Sequence, residues 1–191
     1  MIRPCGVLLD VDGTLVDSND AHAHAWLDAL AEAGIRPGFA EIRRLIGKGG
    51  DKLLPELTGI EAETPKGREI NKRRGEIFRE RYLPEIRPFP GVKDLLARMA
   101  HGGLRLVVAS SAREDELRAL LRVCDGDEFI HARTSSDDAE NSKPDPDIVQ
   151  TARARIGLPS EDVILLGDTL MTWKRAAKPA SERLPCAPGL E

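Results

Sequence analysis

Aromatic side chains are scarce in this 191-residue chain, which has two Trp, one Tyr and four Phe. Base-stacking platforms for nucleic acid are therefore not expected. An excess of positive charge is missing as well. The 28 Lys and Arg stand against 32 Asp and Glu, a formal net charge of −4, so there is no basic footprint for nucleic acid. No apolar run approaches the roughly 20 residues that a membrane span requires. The three cysteines, Cys5, Cys124 and Cys186, are scattered without metal-ligand spacing. An odd, unpatterned set of this kind suits a reducing compartment, with each thiol idle or packed as a small apolar group. Met1-Ile2-Arg3-Pro4 runs directly into an apolar segment, so no signal peptide is expected. These absences argue against nucleic-acid and membrane partners and point to the cytoplasm.

What is present is concentrated near the start. Leu8-Leu9-Asp10-Val11-Asp12-Gly13-Thr14-Leu15-Val16 is an apolar run that stops at two carboxylates one residue apart. A Val/Leu run without polar alternation reads as a strand buried on both faces of a parallel sheet. Ligands and chemistry in such sheets lie just beyond the carboxyl ends of the strands. Asp10 and Asp12 stand there, and two like charges so close are costly unless a cation or a reaction uses them.

Further buried strands are expected at Leu104–Ser110, at Asp162–Asp168 and, more weakly, at Phe129–Arg133. Helical patterns lie between them at Val92–Ala100, Glu114–Val123 and Asp147–Ile156. This alternation predicts a parallel α/β sheet with right-handed crossovers. Residues 19–86 contain no convincing strand and four helical stretches: Asp20–Ala33, Glu41–Ile46, Gly50–Leu57 and Lys66–Tyr82. The last carries many charges and reads as a solvated face. The simplest organisation is an α/β core of residues 1–18 and 87–191, with a helical insert of residues 19–86 after the first strand.

Four groups then fall at strand ends: Asp10 with Asp12, Ser110, Lys143 in Ser142-Lys143-Pro144-Asp145-Pro146, and Asp168 in Gly167-Asp168-Thr169. Clustered carboxylates form a hard-oxygen site suited to Mg²⁺, with too few thiols or imidazoles for zinc. A Ser hydroxyl and a Lys ammonium beside them suit a phosphoryl group. A carboxylate can attack phosphorus, and a second can protonate the leaving oxygen and later deprotonate water.

In these four motifs and their order the chain resembles the haloacid dehalogenase superfamily of phosphotransferases, from about Cys5 to Thr169. The resemblance implies a Rossmann-like, doubly wound parallel core with an inserted α-helical cap. It implies Asp10 as nucleophile, Asp12 as general acid/base and Ser110 as holder of the transferring phosphoryl group, with Ser111 the fallback if the strand register slips by one. By the same resemblance Lys143 would neutralise charge, and Mg²⁺ would be held by Asp10, the backbone carbonyl of Asp12, and Asp168. Asp12 favours phosphate over C–halogen chemistry, because protonating an alkoxide leaving group requires it.

Asp17-Ser18-Asn19-Asp20-Ala21-His22 and Trp26 resemble the hinge and first cap helix of the phosphoglycolate phosphatase and β-phosphoglucomutase branch. Gly47-Lys48-Gly49-Gly50-Asp51-Lys52 resembles that branch's substrate-specificity loop. Thr14, Gly47, Lys48, Ser111 and His22 are thus the candidate substrate-binding residues, although Lys48 also reads as plain surface and His22 as a packed helix residue. The implied protein is a Mg²⁺-dependent phosphatase of a small phosphorylated metabolite, monomer or homodimer. A phosphomutase and a catalytically impaired remnant are the alternatives.

The fourth motif departs from the pattern, for Thr172 stands where a second acid belongs. Met171 and Trp173 have single codons, and reading one base earlier forces an Asp at position 172 and a Glu at 174. We therefore expect residues 170–191 to be out of frame through a one-base loss near codon 169 or 170, which the genomic DNA would settle. Loss of that acid and of a covering helix would weaken the metal site and the sheet.

Overall fold

All four residues of the first strand, β1 (Gly6–Leu9), are buried, as an unalternating apolar run requires of a central strand. The computed structural model describes residues 4–138 and 147–168. Lys143 and the expected out-of-frame tail 170–191 lie outside the described residues. With β2 (Arg105–Ala109), β3 (Ala132–Thr134) and β4 (Val163–Leu166), β1 forms a fully parallel sheet in the order β3-β2-β1-β4. In register, Leu9 lies level with Val108 and Leu166. Asp10 and Gly167 therefore leave the sheet at its carboxyl end, level with Ala109, the last residue of β2.

Residues 19–86 are helical, as expected. They form α1 (Asn19–Glu32), α2 (Phe39–Leu45), α3 (Gly50–Thr58) and α4 (Pro65–Ile77). A wide π-helical turn (Phe78–Tyr82) and a short 3₁₀ turn (Leu83–Glu85) follow α4. Thr64 caps α4 by accepting the Gly67 N–H, and Pro65 stands at its first position, the arrangement that helix starts favour. The chain leaves and rejoins the sheet region side by side: the Asp17 N–H donates to the Arg87 carbonyl and the Phe89 N–H to that of Leu15. Beyond this lie α5 (Val92–His101), α6 (Glu114–Cys124) and α7 (Asp147–Ile156). Val7 and Leu9 pack with apolar residues of α5 and α6, whereas Leu8 packs with Ile148, Ala152 and Ile156 of α7. Helices thus cover both faces, the doubly wound arrangement.

Three expectations need correction. β4 is not buried on both faces, because Ile164 and Leu166 are 49% and 37% exposed. They pair with Val7 and Leu9 and so face the side of α5 and α6, where no described element covers the edge strand. β3 begins later than the sequence suggests, because α6 ends on Asp125 in the left-handed region (φ 47°) and a 3₁₀ turn at Asp127–Phe129 intervenes. Finally, Cys124 is a free, buried thiol, but Cys5 is disulfide-bonded, so the expectation of idle thiols fails at Cys5. Burial, then the nearby charge of Asp12, pushes the Cys124 thiol up to about 12. Among the described residues no helix is long and apolar enough to cross a membrane.

Candidate active site

Asp10 continues the ladder beyond β1, its N–H donating to the Leu166 carbonyl at 2.9 Å. Gly167 permits this closeness, since a Cβ there would sit 3.3 Å from that of Asp10. The chain then turns tightly, with the Val11 carbonyl accepting N–H bonds from Thr14, Leu15 and Val16. Gly13 has φ +71°, and a Cβ on it would run into the Asn19 amide and the Asp168 carboxylate. Glycine is needed there for both conformation and space.

The first turn of α1 meets two of the acids. Asp12 Oδ1 accepts from Ser18 Oγ at 2.5 Å and from His22 Nε2 at 2.8 Å. Asn19 Nδ2 donates to Asp168 Oδ2 at 2.9 Å. His22 stacks on Phe78, centroids 4.1 Å apart and planes 9° from parallel. Its Nδ1 lies 4.0 Å from Glu116 of α6. Arg74 of α4 places Nη1 at 2.9 and 3.1 Å from the two Glu116 oxygens, with its guanidinium 5.5 Å from the Trp26 ring centroid. The charged face of α4 is therefore not all solvated, because Arg74 turns inward.

One cleft is lined by Asp10, Asp12, His22, Gly47, Lys48 and Ser111, among others. The structure thus brings together six of the expected residues. Ser110 is not among the lining: it is fully buried, its N–H donating to the Thr134 carbonyl and its hydroxyl accepting the Ala112 N–H. Ser111 is the serine at the cleft, with Oγ 3.5 Å from the Gly47 carbonyl. Lys48 pairs with Glu56 of α3. Thr14 is also absent from the lining, and its hydroxyl is buried without a hydrogen-bond partner.

Among the described residues no three His, Cys, Asp or Glu side chains are grouped to hold a metal. The Asp12 carboxylate is engaged by Ser18 and His22, so the acids that would offer oxygens to a metal are Asp10 and Asp168. Two carboxylates with water and phosphate oxygens are a donor set that fits Mg²⁺. Sequence reasoning did not assign roles to Ser18, Asn19, Arg74 and Glu116. The first two stood in the hinge segment, where polar residues also read as helix caps. Arg74 was hidden in a charge run, and Glu116 in an acidic helix start that the helix dipole alone explains.

Acids at the carboxyl ends of the strands of a doubly wound sheet, beside a helical segment, are the arrangement of an α/β-class enzyme with its chemistry at the strand ends. The family model for haloacid dehalogenase-like hydrolases matches residues 7–181, and the chain belongs to that family. It is 31% identical to Protein CbbY of Cereibacter sphaeroides over 194 aligned residues, covering 96% of this chain and 84% of that protein. It is 29% identical to a phosphoglycolate phosphatase of Nitrosospira multiformis, covering 95% and 82%. Among solved structures, a hydrolase from Pseudomonas syringae superposes with a TM-score of 0.77 at 27% identity, covering 85% of this chain and 74% of that one. CbbY from Rhodobacter sphaeroides in complex with phosphate gives 0.71 at 26% identity, covering 85% and 76%. Phosphatases of this family generally use a divalent metal.

Proposed function

We propose that the chain is a Mg²⁺-dependent phosphatase of a small phosphorylated metabolite, phosphoglycolate-like or a sugar phosphate. Asp10 attacks phosphorus in line as the bond to the leaving oxygen breaks, and Asp12 delivers a proton to that oxygen. Water then attacks the aspartyl phosphate, Asp12 takes its proton, and phosphate leaves with Asp10 restored. Asp10, Asp168 and the Asp12 carbonyl would hold Mg²⁺, which would supply charge neutralisation to the phosphoryl group. Ser111, at the cleft, takes the phosphoryl-holding role in preference to Ser110, and Lys143 adds positive charge. Residues 19–86 act as a cap that excludes water, with Gly47 and Lys48 facing an anionic substrate. In this reading the enzyme works in the cytoplasm as a monomer or homodimer.

The observation that carries this reading is the shared cleft, with Asp10 and Asp12 opening beneath Gly47 and Lys48. Incubation with phosphoglycolate and a panel of sugar phosphates should release inorganic phosphate in the presence of Mg²⁺ and stop on chelation. Release that persists in a chelator would sink the metal assignment. The grip of His22 on Asp12 keeps a phosphomutase as the second reading. Appearance of an isomeric sugar phosphate in place of free phosphate would select it.

A further inference from the structure

One buried polar chain ends on the general acid/base and includes Arg74 and Glu116, to which the proposed reaction gives no role. It runs Arg74–Glu116–His22–Asp12, and consecutive members alternate between the helical cap and the core. Arg74 is on cap helix α4, Glu116 on core helix α6, His22 on cap helix α1, and Asp12 in the core loop after β1. Glu114 and Asp115, beside Glu116 on the same helical turn, make exposed pairs with Arg118 and Arg79. Glu116 alone of the three turns inward and is 4% exposed.

Such a carboxylate is costly to bury and is held there by its partner. Its partner is an Arg that lies against Trp26 and Phe78 of the cap. His22 is fixed on three sides: by the Phe78 ring, by Asp12 at Nε2 and by Glu116 facing Nδ1.

We propose that Glu116 is a positioning residue for the general acid/base. Holding Arg74 and backing His22, it sets the Asp12 carboxylate in place only when the cap is seated on the core. The inference rests on the phosphatase reading for the role of Asp12. It adds that cap seating and the proton-transfer geometry are one event, joined through a core carboxylate that touches neither substrate nor phosphoryl group. Misplacement of a reacting group by about 1 Å can cost on the order of 100-fold in rate, so a residue that sets this register leaves a kinetic signature.

Glu116→Gln preserves shape and removes the charge. With an aryl phosphate and Mg²⁺, kcat per folded molecule should fall by on the order of tenfold or more, with KM little changed. Arg74→Gln should fall similarly, and the double variant no further than the worse single, as groups acting as one unit require. Trp26 gives a second readout: in a Trp173→Phe background, acrylamide quenching should rise in Glu116→Gln as Arg74 leaves the indole and the cap loosens.

A merely structural role would lower Tm and leave kcat per folded molecule unchanged, and that result overturns the proposal. Additive losses in the double variant, or unchanged Trp26 quenching, overturn it too. Should Glu116→Gln fail to fold, Arg74→Gln tests the pair from the cap side. If the parent protein releases no phosphate, the phosphatase reading fails separately, and the quenching comparison still decides whether Glu116 seats the cap.

Discussion

The helical segment is held together in one way and held to the sheet in another. Within it, nine buried residues, among them Trp26, Leu30, Leu53, Leu54 and Ile70, form a cluster drawn entirely from positions 23–70. Toward the sheet, Ala25, Ala29, Ile77 and Phe78 join the main core. The directional contacts there are polar: Ser18 and His22 to Asp12, Asn19 to Asp168, Arg74 to Glu116 and Arg79 to Asp115. Apolar burial is non-directional and scales with area, so it makes the segment a body. Hydrogen bonds and ion pairs carry geometry, so they fix where that body sits relative to the acids. In the proposed cap role, only the second set would have to be remade at each turnover.

The division can be broken on either side. The largest effect should come where α1 meets Asp168, the proposed metal ligand. Gly13→Ala places a methyl group against Asn19 and Asp168 at a φ of +71°, and phosphatase activity should fall on the order of 100-fold or more. Activity close to wild type would mean that the contact between α1 and Asp168 does not set the site. Leu53→Ala opens a cavity in the segment's own cluster and should cost about 2–5 kcal/mol in chemical denaturation. A loss well below that would show that the cluster is not a core in its own right.

On the outer rim, Arg79→Ala removes an exposed ion pair with Asp115 and should change stability by less than about 1 kcal/mol. The smallest effect lies far from the cap. The Arg155 hydrogen bond, followed by the Ser135 N–H, holds Asp138 below its usual 3.8. A lowered folded value means stability that is present above 3.8 and lost as pH falls through the folded pKa. Asp138→Asn should therefore flatten the acid limb of a Tm-against-pH curve slightly. An unchanged limb would remove Asp138 from the acid response.

The sheet and helices were legible because their signals are local. The run Val7-Leu8-Leu9 needs no partner to read as a buried strand, and α7 falls at Asp147–Ile156, as its pattern predicts. The exposure of Ile164 and Leu166 was not legible, because an apolar strand records what could cover it and not what does. Choosing between Ser110 and Ser111 turned on a single-residue register at the end of β2, which periodicity cannot resolve. Arg74 and Glu116 are 42 residues apart, and no local pattern pairs one charge of a helical run with one charge of another. Asp10, Asp12 and Asp168 were visible because each stands just past the end of an apolar strand. Their holders Ser18, Asn19 and Glu116 were not, because each has an ordinary helix-start explanation.

The most direct test of the central claim is the covalent step. The protein is quenched in acid during turnover of an aryl phosphate with Mg²⁺, and its peptides are examined by mass spectrometry. The phosphatase reading requires one acid-stable, hydroxylamine-labile phosphoryl group on the peptide carrying Asp10, absent together with phosphate release in Asp10→Asn. Continued phosphate release by Asp10→Asn, with no phosphoryl group on that peptide in the parent protein, would contradict it.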